Sequence, residues 1–239
     1  MRIIAGKLKG RRILSLSKKS GLRPMMARIR QSLFDIVRTK VPGSYFLDLF
    51  SGTGSVGLEA LSRGAQKVLF LDLSPQCLKV IEKNVDRAGF REKSLLVRGD
   101  ARSSLKWLLH RTERVPFDLI FLGPPYWEAS KYPHLRQNRK EVNPSEARPS
   151  PNSVSSRAAI PWSHSPGVTP GSHRPAPLKV VGEILQQIVL GEILAPEGWV
   201  VAQHHRKEVP LVPESLEMFR QTKYGDNMLS FFKYKDKRA

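Results

Sequence analysis

Between Tyr45 and Leu122 the chain alternates short apolar runs with longer amphipathic ones, and few folds accept that pattern. YFLDL, KVLFLD, SLLVRGD and FDLIFL are apolar runs of strand length. Between them, SVGLEALSRG, PQCLKVIEKNVDRAG and ARSSLKWLLHR carry apolar residues at helical spacing, the first two stopped at Gly64 and Gly89. Strands that alternate with helices pair in parallel through right-handed crossovers, with helices covering both faces of the sheet. Downstream, LKVVGEILQQIVLGEIL predicts a helix, GWVVAQH a strand, and LEMFRQTKYG with MLSFFKYK a terminal antiparallel pair. The expected architecture is a doubly wound, Rossmann-like α/β domain.

The flanking segments differ in character. RIIAGKLKGRRILSL, residues 2–16, sets apolar pairs around Gly6 and Gly10 and predicts short strands or a hairpin bearing Lys7, Lys9, Arg11 and Arg12. In MMARIRQSLFDIV, Ile29, Leu33, Phe34 and Val37 fall at helical spacing. Residues 1–40 are thus expected to form a basic hairpin and helix ahead of a larger domain, 41–239. Within that domain, residues 131–177 are rich in Pro, Ser, Arg and His with no apolar period. Such a composition buries too little surface to offset its ordering entropy, which predicts a disordered, low-complexity insertion. It is either an inert surface insert, which costs little stability, or a basic segment that gathers RNA.

The 239 residues include 40 Lys and Arg against 21 Asp and Glu, a formal charge of +19. Such a field attracts polyanions, nucleic acid foremost, although excess charge also serves solubility. Positive residues concentrate before the apolar alternation, at Lys7, Lys9, Arg11, Arg12, Arg23, Arg28 and Arg30, where they suit phosphate contacts or a solvated face. A single cysteine, Cys77, excludes an intrachain disulfide and a cysteine metal cluster. His204 and His205 are adjacent in a strand and point to opposite faces, so no metal is expected. MRIIAGKLKG lacks a signal-like apolar stretch and no later run approaches a membrane span, so a cytoplasmic protein without a membrane partner is expected.

In an open α/β sheet the ligand sits beyond the carboxyl ends of the strands, where the strand order reverses. The first strand runs into DLFSGTGSVG, whose Gly52, Gly54 and Gly57 allow close approach of the backbone and a sharp entry into a helix. Dinucleotide enzymes use similar loops. Asp48 places a carboxylate at the first strand's end, which would repel a pyrophosphate but attract the sulfonium and amino group of S-adenosylmethionine. Asp72 closes KVLFLD, where a carboxylate accepts from both ribose hydroxyls, a position equally suited to NAD. Asp100 follows SLLVRG, placed either to accept from an adenine amino group or to cap the next helix.

FDLIFL ends in Gly123-Pro124-Pro125-Tyr126. Prolines donate no amide hydrogens, leaving carbonyls and one aromatic ring at the strand's end. Methyl transfer to a ring amino group requires acceptors that draw its hydrogens out of plane. Proline carbonyls can accept one, and a tyrosine ring can stack on an extruded base. The alternative is a structural turn.

Taken together, MRIIAGKLKGRRI, RPMMARIRQSLFDI, FLDLFSGTGSVGLEALSRGA, RGDA, FDLIFLGPPY and KYGDNMLSFF resemble the bacterial 16S ribosomal RNA guanine-N2 methyltransferases, the small-subunit methyltransferase D family. The resemblance covers essentially everything except residues 131–177. It implies a class I methyltransferase fold with a seven-stranded, mostly parallel sheet and an antiparallel last strand at MLSFFKYK. It also implies S-adenosylmethionine as cofactor, held by Asp48, Phe50, Gly52, Gly54, Asp72, Asp100 and Ala101. Gly123, Pro124, Pro125 and Tyr126 take the target-base positions, and a monomer acting on 16S RNA or an assembling small subunit is implied. Where the family usually carries Asp or Asn ahead of PPY this chain has Gly123, and Met25 and Ala27 replace a usual Thr and Asp. Two other readings stay open: a non-catalytic RNA-binding assembly protein, and an adenine-N6 methyltransferase.

Overall fold

In the computed structural model, which describes residues 1–16, 25–124 and 180–236, each of the apolar runs becomes a strand of one sheet. The strands are β1 (Tyr45–Leu49), β2 (Lys67–Asp72), β3 (Ser94–Arg98), β4 (Phe117–Leu122), β5 (Leu194–His205), β6 (Leu216–Tyr224) and β7 (Asn227–Tyr234). Their order is β3-β2-β1-β4-β5-β7-β6. Strands β1 to β5 pair in parallel, and β7 runs antiparallel to both of its neighbours. Strand order reverses between β1 and β4, which places the switch point where the glycine loop and Gly123-Pro124 both emerge.

Alternation along each strand separates two apolar layers. Phe46, Val68, Phe70, Leu119, Phe121 and Val201 face the layer built by α1 (Ala27–Ile36), α2 (Ser55–Ser62) and α3 (Pro75–Ala88). Leu47, Leu49, Ile120, Leu122 and Val200 face the layer of α4 (Val180–Leu190). Helix α3 starts where Ser74 Oγ accepts the Cys77 amide at 3.4 Å, with a proline in its first turn, and stops at Gly89 in the left-handed region. The predicted helix over ARSSLKWLLHR is instead a 3₁₀ segment, Lys106–Arg111. Its first residues are diverted: Asp100 Oδ1 accepts the Arg102 amide, and the Ser103 amide and hydroxyl both donate to the Asp100 carbonyl. The helix predicted from residue 178 ends at Leu190, because Gly191 and Glu192 turn the chain so that Leu194 opens β5.

The N-terminal segment packs onto α2 and α3. Arg2 bridges Arg12 in antiparallel fashion, and Ile3 and Ile13 are buried in the α1–α3 layer. Glu59 of α2 accepts the amides of Ile4 at 2.8 Å and Ala5 at 2.9 Å, while the Lys7 amide donates to the Ser62 carbonyl at 2.7 Å. Gly6 is required there, since a Cβ would lie 1.9 Å from that carbonyl oxygen. Arg30, counted above among the basic residues available to RNA, is fully buried. Its Nε lies 3.7 Å from Glu59 Oε2 and one terminal nitrogen donates to the Arg2 carbonyl at 2.6 Å, so it serves the core. Arg63 Nε completes the cluster at 2.9 Å from Glu59 Oε1.

Removing Glu59 strands the buried Arg30 charge and frees two backbone donors. We expect Glu59→Ala to lose about 3–5 kcal/mol in denaturant unfolding, with faster amide exchange at Ile4 and Ala5.

Candidate active site at the carboxyl ends of the strands

Register aligns the candidate residues in one row. Phe70, Asp48, Phe121 and Val201 are neighbours across β2, β1, β4 and β5. Two residues further along β2, β4 and β5, and so on the same face, come Asp72, Gly123 and Gln203. The glycine loop leaves β1 in the middle of that row.

Asp48 is buried, and its Oδ2 accepts the Gly57 amide at 2.9 Å. This bond ties the first turn of α2 to β1. Gly57 permits the contact, since a Cβ there would stand 2.3 Å from the Phe70 ring. Between these anchors the loop follows an unusual path: Phe50, Gly52 and Gly54 have φ of 60°, 56° and 75°. Such a φ at a bulky residue costs about 1–3 kcal/mol and is held only where surrounding bonds enforce it. Ser51 supplies one, its hydroxyl donating to the Asp48 carbonyl at 2.6 Å, and Asp72 Oδ2 supplies another by accepting the Gly52 amide at 2.8 Å. Among the described residues, a Cβ on Gly52 would meet only the Phe50 carbonyl, at 3.9 Å.

The second carboxylate oxygen of Asp72 accepts the Ser74 amide at 2.9 Å. Burial raises its pKa, opposed by these backbone bonds. The Asp72 residue is half-buried, and its carboxylate also takes a bond from the Cys77 side chain. Asp100 is bound by Arg102, whose Nε and a terminal nitrogen lie 3.0 and 2.7 Å from its two oxygens, and Ala101 beside it is buried. Burial first, and then the nearby Asp72 charge, push the Asp48 carboxyl up to about 7, against the Gly57 bond that lowers it.

Gly123 is partly exposed and Pro124 buried; Pro125, Tyr126 and the basic Arg23 lie outside the described residues. Lys7, Lys9, Arg11, Arg12 and Arg28 are exposed, Arg11 donating to the Arg87 carbonyl at 2.6 Å. His204 and His205 do point to opposite faces: His204 is buried against Ser230 Oγ at 2.8 Å, on the α4 side. Two residues that sequence reasoning passed over join the row. Gln203 donates from Nε2 to Asn227 Oδ1 at 3.0 Å, linking the ends of β5 and β7 beside Gly123. Asn227 belongs to a motif quoted above, KYGDNMLSFF, whereas Gln203 stands in no motif.

The seven-stranded order, with its antiparallel β7, defines the fold of the class I methyltransferases. A solved structure of "Putative methyltransferase yhhF" from Escherichia coli superposes with a TM-score of 0.64 at 17% identity, covering 99% of each chain. The family model described as "Conserved hypothetical protein 95" matches residues 1–146. "Ribosomal RNA small subunit methyltransferase D" of Buchnera aphidicola is 33% identical over 142 residues, 59% of this chain and 71% of that one. The protein of the same name from Haemophilus influenzae is 37% identical over 126 residues, 53% of this chain and 64% of that one. The chain belongs to the Conserved hypothetical protein 95 family, together with these small-subunit methyltransferase D proteins.

The Asp48 carboxyl yields a pH prediction. Its folded-state pKa lies above its ordinary 3.8, so the stability it permits is fully present below about pH 4 and is lost as pH rises through about 7. Asp48→Asn keeps an acceptor for the Gly57 amide but cannot ionise. We expect the wild-type melting temperature to fall relative to that variant between about pH 4 and pH 8; equal pH profiles would show that Asp48 has no raised pKa.

Proposed function

We propose that the protein transfers a methyl group from S-adenosylmethionine to the N2 amino group of a guanine in 16S ribosomal RNA of the small subunit. The observation that carries this reading is the row formed at the carboxyl ends of neighbouring strands by Asp72, the glycine loop and Gly123-Pro124, which flanks the switch point, with Asp100 following the next strand, β3. Membership of a family containing proteins named for ribosomal RNA methylation supports the substrate class.

When bound, S-adenosylmethionine would supply an electrophilic methyl group to the amine, its thioether leaving with the C–S bonding electrons and the amine's proton passing to solvent. The chain's own task is positioning. Asp72 would receive the ribose hydroxyls, Asp100 and Ala101 would border the adenine, and the loop from Phe50 to Gly54 would let the methionyl part approach the backbone. Asp48, which holds the Gly57 amide, adds negative potential beneath a cationic ligand. Pro124 and Pro125 would offer carbonyl acceptors, with Tyr126 stacked on the base. Residues 1–40 form the proposed RNA-contacting part: the exposed Lys7, Lys9, Arg12 and Arg28 suit phosphates, and Arg11 and Arg23 belong to the same set. A cytoplasmic monomer acting on RNA or on an assembling particle completes the reading.

The test is methyl transfer from labelled S-adenosylmethionine to small-subunit particles lacking the modification, followed by digestion to nucleosides. We expect label in N2-methylguanosine. Label in N6-methyladenosine would reassign the base, and RNA binding without label would favour a non-catalytic assembly protein.

A further inference from the structure

Helix α3 buries Cys77, Ile81, Asn84, Val85 and Ala88, and the charges on its outer side are sorted by sign. Lys79, Lys83 and Arg87 recur at every fourth residue and are exposed. A helix advances about 1.5 Å and turns about 100° per residue, so these cations stand about 6 Å apart along the axis in one slowly drifting stripe. Glu82 and Asp86 each precede one of the cations and are therefore turned about 100° away from it. Arg91, in the turn after the helix, holds both acids, at 3.0 Å from Glu82 Oε1 and 3.6 Å from Asp86 Oδ1. Among the described residues, Lys79, Lys83 and Arg87 form no ion pair with a carboxylate. On the side away from the acids the helix meets the basic N-terminal segment. Asn84 accepts the Leu14 amide at 2.8 Å and donates to the Leu14 carbonyl at 3.0 Å, while Arg11 donates to the Arg87 carbonyl at 2.6 Å. The other end of α3 begins at Ser74, directly after Asp72.

We propose that Lys79, Lys83 and Arg87 extend the basic surface of the N-terminal segment and carry the sugar–phosphate backbone of RNA along α3 toward the carboxyl ends of the strands. The inference rests on the RNA-methylation reading above and adds a face of the domain to residues 1–40. Three features fit the task. The step between successive cations is close to the separation of successive phosphates on one strand, so a single strand can meet all three. The stripe is joined to Arg11 by a direct bond, which makes the two basic surfaces continuous. Both surfaces are held by backbone and core contacts, so the charges are placed before RNA arrives. A membrane surface fits less well, because an interfacial helix turns an apolar face to the lipid and that of α3 is packed in the core. Phosphate contacts of this kind fix the register of the RNA without reading its sequence.

The test is filter binding of the full chain to unmethylated 16S RNA over a series of salt concentrations, with wild type compared to three triple variants. Lys79→Gln, Lys83→Gln and Arg87→Gln together remove the stripe. Lys79→Arg, Lys83→Arg and Arg87→Lys together keep its charge. Lys106→Gln, Arg111→Gln and Arg114→Gln together remove the same net charge from exposed positions in and after the 3₁₀ segment. We expect the stripe variant to bind at least about tenfold more weakly, with the slope of log affinity on log salt smaller in magnitude by about 2 to 3. The other two are expected within about threefold of wild type, and all three keep the wild-type melting temperature and S-adenosylmethionine affinity. Wild-type affinity and slope in the stripe variant overturn the inference while leaving the methylation reading intact. Equal loss in the Lys106, Arg111 and Arg114 variant also overturns it, because net charge alone would then account for binding. So does equal loss in the charge-keeping variant. Wild type that binds no RNA removes the reading itself, and this proposal with it. Should the stripe variant fail to fold, Lys79→Gln with Lys83→Gln replaces it.

Discussion

The hydrogen bond from the Gly57 amide to the buried Asp48 carboxylate is the contact on which the site depends. It joins the end of β1 to the first turn of α2, and the loop between them has little choice of path. Phe50 is forced to a positive φ, Gly52 turns its amide toward Asp72, and Gly54 enters the helix from the left-handed region. Through Asp72 the constraint passes to β2 and to Ser74 just beyond it, which caps α3. Two carboxylates, Asp48 and Asp72, thus tie β1 to α2 and β2 to the loop and the start of α3, and burial raises the pKa of both.

A second buried carboxylate, Glu59, does comparable work on the outer side of α2. It gathers Arg30, Arg63 and the amides of Ile4 and Ala5, fastening the basic N-terminal segment to the domain. Lys7, Lys9, Arg11 and Arg12 are displayed from a segment fixed at several backbone points. A polyanion meeting that surface meets charges already placed, which reduces the ordering cost of binding.

Much of this was legible in the sequence where period and local chemistry agreed. β1 to β4, α2 and α3 follow from apolar spacing with Gly64 and Gly89 as stops, and the carboxylates near the ends of β1, β2 and β3 follow from where those runs stop. What escaped depends on partners distant in sequence. Arg30 resembles any exposed basic residue until Glu59, 29 positions later, is brought against it. Gln203 has no motif; only the pairing of β4 with β5 sets it beside Gly123. The 3₁₀ segment after Asp100 was hidden by helix-like spacing of Leu105, Leu108 and Leu109, whereas local bonds to Asp100 decide its start.

The proposed function requires that the carboxyl ends of these strands take S-adenosylmethionine and not a dinucleotide, although the glycine loop and Asp72 suit both. Calorimetric titration of the full chain with S-adenosylmethionine and, separately, with NAD tests this most directly. The account predicts saturable binding of S-adenosylmethionine and none of NAD, because the Asp48 carboxylate beneath the loop disfavours a pyrophosphate. Saturable binding of NAD without S-adenosylmethionine binding would contradict it.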